Sequence, residues 1–452
     1  MSFEYDKTSF EQAPASNRDM IDALTGLGNR HQLRADIETL VQERAHDPAP
    51  FTVGIANIDG FKPINDLFGI EAGDRILIQV AHRLKSCLPE GSSAMRYQGD
   101  SIAFVMPMVF EAKSAERVGQ VIKDALSAPY NLGERQVRLS ASFGFAIHPF
   151  AGGEFTELMK SADTALYRAK RRGRGQITVY SREIAQEMKR ATQLEQALRN
   201  AIIEDTVEVH FQPIVRLDDK RVIGFEALAR WNDPDLGQVS PAVFVPLAEE
   251  RGFIDALSES LLRKAAETAL SWPRELFLSF NLSSAQLMDP NIVDTILSIL
   301  ARVGLDPRRL ELEITETAVV SCSDTAERII ADLRRAGVRI SLDDFGTGQS
   351  SLGRLRDFSF DKIKIDRAFV SRIRTDRPSE HIIKAIVTMC EGLDLEVVAE
   401  GIEGSLEAEK LMRLGCSMGQ GYFFGRPVDA SATTQFLAAN YSGGMAAQPS
   451  VY

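Results

Sequence analysis

Apolar and polar positions along the chain follow two periods. In the first part, an apolar-rich run at 51–59 predicts a strand. Ile76, Leu77, Val80, Ala81 and Leu84 form one stripe of a helix over 74–88. A hairpin is expected over 95–106, with Gln98-Gly99-Asp100 at its turn. A further strand is expected over 137–147 and a helix over 155–172. Strands and helices mix here without one regular repeat, so residues 20–180 read as an α+β or α/β domain. Residues 181–203 are charged, with Ile184, Met188, Leu194, Leu198 and Ile202 on a helical period, and predict a linker helix.

Residues 204–440 change character. Short β-rich segments end near Glu226, Asn281, Glu313, Asp343, Lys364, Glu400 and Gln420, with amphipathic helices between several of them. One such helix, over 323–337, carries Ala326, Ile329, Ile330 and Leu333 at i, i+3, i+4 and i+7. Repeated strands that each deliver a polar residue at the C-terminal end are the pattern of a (β/α)8 barrel, whose site forms at that face. Residues 1–19 read as a linker and 441–452 as a flexible tail.

The polar residues at those ends carry the chemistry. Glu226 interrupts the apolar run Val222–Ala229, and a buried carboxylate without a partner is costly, so it pairs or binds a metal. In Leu310-Glu311-Leu312-Glu313-Ile314-Thr315, alternation puts Glu311, Glu313 and Thr315 on one face. In Lys362-Ile363-Lys364-Ile365, Lys364 faces away from the isoleucines. Asp343 and Asp344 are adjacent, so on a regular strand they would point to opposite faces unless the strand ends there and the loop re-aims one. A single acid in such a chain is more often a surface charge or a helix cap. Oxygen donors at successive strand ends suit Mg²⁺ or Mn²⁺. Two such ions about 3.5–4 Å apart serve in-line displacement at a phosphate ester.

Composition narrows the class. With 452 residues, 44% hydrophobic and 25% charged, the chain is long enough for two or three domains of ordinary soluble character. A net charge of −11 argues against generic DNA or RNA binding. The densest basic run, Arg168 to Arg174, reads as a solvated helix end. No apolar run approaches a membrane span, and the N-terminus has no signal-peptide pattern. Cys87, Cys322, Cys390 and Cys416 are scattered, the usage of a reduced, cytoplasmic protein.

Specific motifs go further. Gln212-Pro213-Ile214, Glu226-Ala227-Leu228-Ala229-Arg230-Trp231, Asn281-Leu282-Ser283, Glu311-Leu312-Glu313-Ile314-Thr315-Glu316, Asp343-Asp344-Phe345-Gly346-Thr347-Gly348, Lys362-Ile363-Lys364-Ile365-Asp366, Glu400-Gly401-Ile402-Glu403 and Gln420-Gly421-Tyr422 occur in order. This series resembles the EAL phosphodiesterase domain of cyclic di-GMP signalling. The resemblance implies hydrolysis of c-di-GMP to linear pGpG in a TIM-like barrel holding two Mg²⁺ or Mn²⁺ ions. It implies that Glu226, Asn281, Glu313 and Asp343 hold one ion, and Asp343, Asp344 and Glu400 the other, with Gln420 close by. It gives Lys364 the attacking water, Glu400 a share in proton handling, and Glu316 the bracing of the loop after Asp344. Gln212, Leu228 and Arg230 would contact the nucleotide. Gln349 stands where the family loop usually has Tyr, which implies altered loop behaviour with activity retained. The family commonly dimerises through this barrel, so a homodimer is expected.

Residues 20–180 resemble the GGDEF diguanylate cyclase domain, a nucleotide-cyclase-like α/β fold. The resemblance rests on Asp22-Ala23-Leu24-Thr25-Gly26-Leu27-Gly28-Asn29-Arg30, Asn57-Ile58-Asp59-Gly60-Phe61-Lys62-Pro63-Ile64-Asn65-Asp66, Gly73-Asp74 and Asp163–Lys170. The signature itself departs. Gln98-Gly99-Asp100-Ser101-Ile102 lacks the glutamate, and Gln98 replaces a glycine. Pro89 and Ser92 replace the inhibitory Arg-x-x-Asp pair. Cyclase activity is therefore not expected. Asp59, Lys62, Asn65, Asp74 and Asp100 remain: the resemblance implies that Asn65 and Asp74 read guanine and that Asp59 holds a metal. Two readings stay open, a GTP-binding activator of the phosphodiesterase and a scaffold that binds nothing. For the whole chain the rival to an enzyme is a c-di-GMP receptor that signals to a protein partner.

Overall fold

The structure is a computed structural model. It describes residues 20–44, 49–133, 135–316, 324–346, 359–374 and 376–441. The expected linker 1–19, Cys322, Gln349 and all but the first residue of the expected tail lie outside the described residues. The chain divides into two compact units, 1–193 and 194–452.

The N-terminal unit runs α1 (Arg30–Glu43), β1 (Phe51–Asp59), α2 (Phe61–Phe68), α3 (Ile70–Cys87), β2 (Ser93–Gln98), β3 (Ser101–Met106), α4 (Ala112–Ser127), β4 (Tyr130–Asn131), β5 (Gln136–Val137), β6 (Ser140–His148), α5 (Phe155–Arg171) and β7 (Ile177–Val179). Its main sheet has the order β2-β3-β1-β6-β7 and is antiparallel except for β6–β7. Alternation along β1 divides its side chains between two cores. Phe51, Val53 and Ile55 join Leu33 and Ile37 of α1 and Leu158, Met159 and Ala162 of α5. Ala56 and Ile58 join Ile76, Leu77, Val80 and Leu84 of α3. Helices therefore cover both faces of this sheet.

Two expectations change in detail. The helix expected from residue 74 begins at Ile70, directly after Gly69, whose φ of 84° ends α2. Gly73 lies in its first turns because α2 passes very close: a Cβ there would sit 2.0 Å from Asn65 Oδ1 and 2.9 Å from Phe61 Cζ. The strand expected over 137–147 is two elements, β5 and β6.

A 22-residue helix, α6 (Arg182–Ile203), leads into the C-terminal unit. That unit continues with β8 (Glu208–Arg216), β9 (Val222–Asp233), β10 (Gly237–Val239), α7 (Pro241–Arg251), α8 (Ile254–Ala269), β11 (Phe277–Asn281), α9 (Ile292–Val303), β12 (Leu310–Thr315), α10 (Asp324–Arg335) and β13 (Arg339–Phe345). It ends with β14 (Lys362–Ile365), α11 (Arg367–Val370), α12 (Arg377–Gly392), β15 (Glu396–Ala399), α13 (Ser405–Arg413), β16 (Met418–Gln420) and α14 (Ala430–Tyr441). β9, β11, β12, β13, β14, β15 and β16 pair in parallel in that order, and β8 closes the barrel between β16 and β9.

The expected (β/α)8 pattern holds with one departure. β8 runs antiparallel to both neighbours. The link from β8 to β9 covers only residues 217–221, too short for the helical crossover a parallel pair needs. Outward residues such as Phe225, Leu278, Leu312, Ile314, Leu342, Ile363 and Ile365 belong to the large core with the helices. Ile214, Phe277, Val398 and Met418 form a separate small apolar cluster. Near the strand starts, Lys362 Nζ lies 2.7 and 3.0 Å from the Glu311 carboxylate and 4.1 Å from the Phe277 ring centroid.

Candidate active site

The strand ends bring most of the sequence-derived acids to one place, and Lys364 is at its centre. Its Nζ lies 2.5 Å from Glu400, 2.6 Å from Glu313, and 3.6 Å from both Glu226 and Asp343. Lys364 and Glu313 are each only 1% exposed. The strand register explains the meeting. Asn281 pairs with Glu313 between β11 and β12, and Ser279 pairs with Glu226 between β11 and β9. Inward residues of adjacent parallel strands therefore line up in layers.

A chain of side-chain amides fixes Glu226. Asn281 Nδ2 donates to Oε1 at 2.9 Å and Gln420 Nε2 donates to Oε2 at 2.6 Å. Gln420 Nε2 also reaches Gln212 Oε1 at 3.1 Å, and Gln212 Nε2 donates to the Gly425 carbonyl at 3.2 Å. The antiparallel course of β8 still places Gln212 directly opposite Glu226. Ser279, fully buried, donates to Glu313 Oε1 at 2.6 Å. It was absent from the sequence candidates, because a serine two residues before Asn281 carries no signal until the register is known.

The two adjacent aspartates converge through a backbone irregularity. Asp344 has φ 55°, in the left-handed region, and the β13–β14 register shifts between Leu342 and Phe345. This breaks the alternation that would send Asp343 and Asp344 to opposite faces. Oxygens of Asp343, Asp344 and Glu400 lie within 4.8 Å of one another. The Glu316 carboxylate accepts from Gly346 N at 3.1 Å, just after the irregularity. Left-handed backbone at a non-glycine residue costs about 1–3 kcal/mol and persists where the surroundings impose it.

The electrostatics follow from the crowding. Burial pushes the Glu226 carboxyl up, but Lys364 and the Gln420 and Asn281 donors outweigh it and hold the group below the usual carboxylate range. Burial, reinforced by Glu226, pushes Glu313 well above that range. Burial, with Asp343 and Glu226, raises Glu400 to about 8 against the pull of Lys364. Burial and then Asp343 and Asp366 raise Asp344 to about 6. Burial disfavours the charge on Lys364, yet Glu226, Glu313, Glu400 and Asp343 keep its pKa well above the usual lysine value. Carboxylates thus outnumber the Lys364 ammonium at their centre. An all-oxygen, anionic donor set of this kind fits Mg²⁺ or Mn²⁺.

Beside this cluster lies a cavity of about 210 Å³ lined by Gln212, Glu226, Leu228, Asp343, Glu400, Gln420 and Tyr422, together with Arg367 and Glu403. Arg367, which pairs with Glu403 at 2.7 Å, was not among the sequence candidates. Arg230 is half-buried, its pKa lowered by that burial, and its Nη1 donates to the Ala229 carbonyl at 2.8 Å.

In the N-terminal unit the candidates divide. Lys62 and Asn65 lie on α2, and Asp74 on α3. Asp59 turns toward β6: it accepts from Ser140 Oγ at 2.8 Å, Ser142 Oγ at 2.9 and 3.0 Å, and Gly175 N at 3.0 Å. Asp100 is held instead by Asn57, whose Nδ2 donates to Asp100 Oδ1 at 2.8 Å.

Comparison with known families decides the lineage. The EAL domain model matches residues 195–427, about half the chain, and the diguanylate cyclase GGDEF domain model matches residues 19–176. The chain belongs to the GGDEF–EAL tandem family. A bifunctional diguanylate cyclase/cyclic di-GMP phosphodiesterase, MucR of Pseudomonas aeruginosa, is 35% identical over 433 residues, 94% of this chain and 63% of MucR. The cyclic di-GMP phosphodiesterase NbdA of the same organism is 34% identical over 435 residues, 95% of this chain and 55% of NbdA. The solved PaMucR phosphodiesterase in complex with c-di-GMP superposes with a TM-score of 0.52 at 37% identity, over 53% of this chain and 99% of that one. This GGDEF–EAL chain spans about half to two thirds of the length of the curated relatives it matches. Among the described residues, no helix is long and apolar enough to cross a membrane.

Proposed function

We propose that this GGDEF–EAL chain is a cyclic di-GMP-specific phosphodiesterase that hydrolyses c-di-GMP to linear pGpG. The observation that carries this reading is the cluster at the barrel mouth, where Glu226, Asn281, Glu313, Asp343, Asp344 and Glu400 supply a complete set of oxygen donors around Lys364. Glu226, Asn281, Glu313 and Asp343 would hold one divalent cation, and Asp343, Asp344 and Glu400 a second. When bound, such a pair stabilises the attacking and leaving oxygens of an in-line displacement.

The chain's own groups do the rest. The water oxygen bonds to phosphorus as the bond to the 3′-oxygen breaks. Lys364 orients that water and holds negative charge in the buried site. Glu400, 2.5 Å from Lys364 Nζ, takes a share of the proton transfer. Gln212, Leu228 and Arg230 contact the nucleotide, with Arg230 toward a phosphate oxygen. Gln420 keeps Glu226 in place, and Glu316 fixes the backbone that re-aims Asp344. The N-terminal unit acts as the regulator, binding GTP and raising the rate of the EAL unit without cyclase activity of its own. The working form is a cytoplasmic homodimer.

The test is c-di-GMP turnover by the purified chain with Mg²⁺ or Mn²⁺, with and without GTP, read by chromatography of pGpG. Product formation that rises with GTP supports both parts. Product formation indifferent to GTP keeps the enzyme and reduces the N-terminal unit to a scaffold. Tight c-di-GMP binding without product under either metal replaces the enzyme with a receptor.

A further inference from the structure

The resemblance of the N-terminal unit to diguanylate cyclases implies a divalent cation held by Asp59. The residues present do not fit one. Three donors already hold the Asp59 carboxylate: Ser140 Oγ and the Gly175 amide at Oδ2, and the Ser142 hydroxyl shared between Oδ1 and Oδ2. The side chain is 8% exposed. A nearly buried carboxylate tied to a β-strand and a neighbouring loop by three donors is an internal brace.

The residue that reaches the hairpin is Asn57, two positions earlier. It stands directly opposite Ser101 in the β1–β3 register. Its Nδ2 donates to Asp100 Oδ1 at 2.8 Å and to Ser101 Oγ at 3.0 Å. An amide nitrogen has two protons, and both are committed to these partners. Ser101 also stands where a glutamate would have supplied a second carboxylate. A primary amide can ligate only through its neutral oxygen, so Asn57 and Ser101 bring no negative charge to the hairpin, and Asp100 is the one carboxylate that Asn57 contacts there. Among the described residues, the one grouping of three or more acidic, His or Cys ligands close enough for a metal is Asp343, Asp344 and Glu400, in the other unit.

We infer that the described residues of the N-terminal unit form no divalent-cation site, that the Asn57 amide cross-links Asp100 and Ser101 in its place, and that this unit binds GTP without metal. The last clause rests on the regulatory reading above. The cross-link ties β1 to the β2–β3 turn by neutral hydrogen bonds, so the turn keeps its shape without an ion.

The experiment counts Mn²⁺ bound to the full chain by electron paramagnetic resonance and measures GTP affinity by calorimetry in excess Mg²⁺ and in EDTA. Asp100→Asn is expected to leave the Mn²⁺ stoichiometry unchanged. Asn57→Asp combined with Ser101→Glu is expected to add one Mn²⁺ per chain. The GTP dissociation constant of the unaltered chain is expected to agree within about twofold between Mg²⁺ and EDTA. Loss of one Mn²⁺ in Asp100→Asn, with circular dichroism unchanged, overturns the inference. Tenfold or greater weakening of GTP binding by EDTA overturns it as well. No GTP binding in either buffer refutes the regulatory reading and with it the GTP clause, while the Mn²⁺ count still decides whether the cation site exists. If the double variant does not fold, the Mn²⁺ stoichiometry of Asp100→Asn alone decides between a site and none.

Discussion

Glu226→Gln tests the active-site reading most directly, because it removes a charge and leaves the volume. In the native site Oε1 accepts from Asn281 at 2.9 Å and Oε2 from Gln420 at 2.6 Å. A glutamine keeps one acceptor and turns an NH₂ toward the other donor, leaving a buried donor unpaired at a cost of about 1–3 kcal/mol. The lost charge lies 3.6 Å from Lys364 Nζ, an attraction of about 4–5 kcal/mol at an effective dielectric constant of about 20. Much of that is recovered, because losing the Glu226 charge removes one cause of the raised Glu313 and Glu400 carboxyls, which remain 2.6 and 2.5 Å from the same ammonium, and a buried charge no longer needs desolvating. The fold should therefore survive, with stability lowered by about 1–3 kcal/mol.

Catalysis should not survive. The substitution replaces an anionic metal ligand by a neutral one, and Lewis-acid stabilisation of the reacting phosphoryl group is worth several kcal/mol. At about 1.4 kcal/mol per tenfold, kcat/KM is expected to fall by about 10³ or more. The assay is pGpG formation across a Mn²⁺ titration, beside thermal unfolding of the same sample. A folded Glu226→Gln protein that turns over within tenfold of the parent would refute the ligand role and the two-cation mechanism built on it.

Other consequences separate binding from scaffolding. Ser279→Ala removes the hydroxyl that donates to Glu313 at 2.6 Å, and orienting partners of this kind are worth about 10–100-fold in metal affinity. The Mn²⁺ concentration for half-maximal rate should rise by that factor with the maximal rate largely restored at high Mn²⁺, and an unshifted titration would deny Ser279 this role. Lys362→Met strands the Glu311 carboxylate, which keeps only Arg339 at 3.6 Å and loses its partner at 2.7 Å. Urea unfolding should show a loss of about 3–5 kcal/mol, most of it regained in Glu311→Leu combined with Lys362→Met, and an additive double variant would contradict this. Glu400 at about 8 and Asp344 at about 6 both lie above their ordinary values of 4.5 and 3.8. Each keeps its proton in the folded chain after the unfolded chain has released it, so metal-free stability should fall as pH rises from about 4 to about 8. Excess Mg²⁺, which binds the deprotonated groups, should raise Tm more at pH 8 than at pH 6, and a metal-free Tm that climbs across this window would reverse the sign.

The difference between what was legible in the sequence and what was not has a physical cause. Strand ends in the barrel were readable because an outward apolar residue and an inward polar one alternate, as in Leu312-Glu313-Ile314 and Ile363-Lys364-Ile365, and every such strand delivers its polar residue to the same mouth. The direction of β8 was hidden, because its side chains alternate whichever way the strand runs, and only the short 217–221 link reveals it. The convergence of Asp343 and Asp344 was hidden as well, since it depends on one residue at φ 55° that composition does not announce. The N-terminal unit makes the sharpest case. Asn57 and Asp59 have the same parity on β1, so alternation cannot rank them, and the carboxylate is the more obvious ligand. Register ranks them: Asn57 lies opposite Ser101 and meets Asp100, while Asp59 lies opposite Ser140 and is absorbed there. A two-residue step along one strand thus separates an acid that braces the sheet from an amide that fills the hairpin. Spacing within a single segment shows which face a side chain takes; the partner strand determines what it meets.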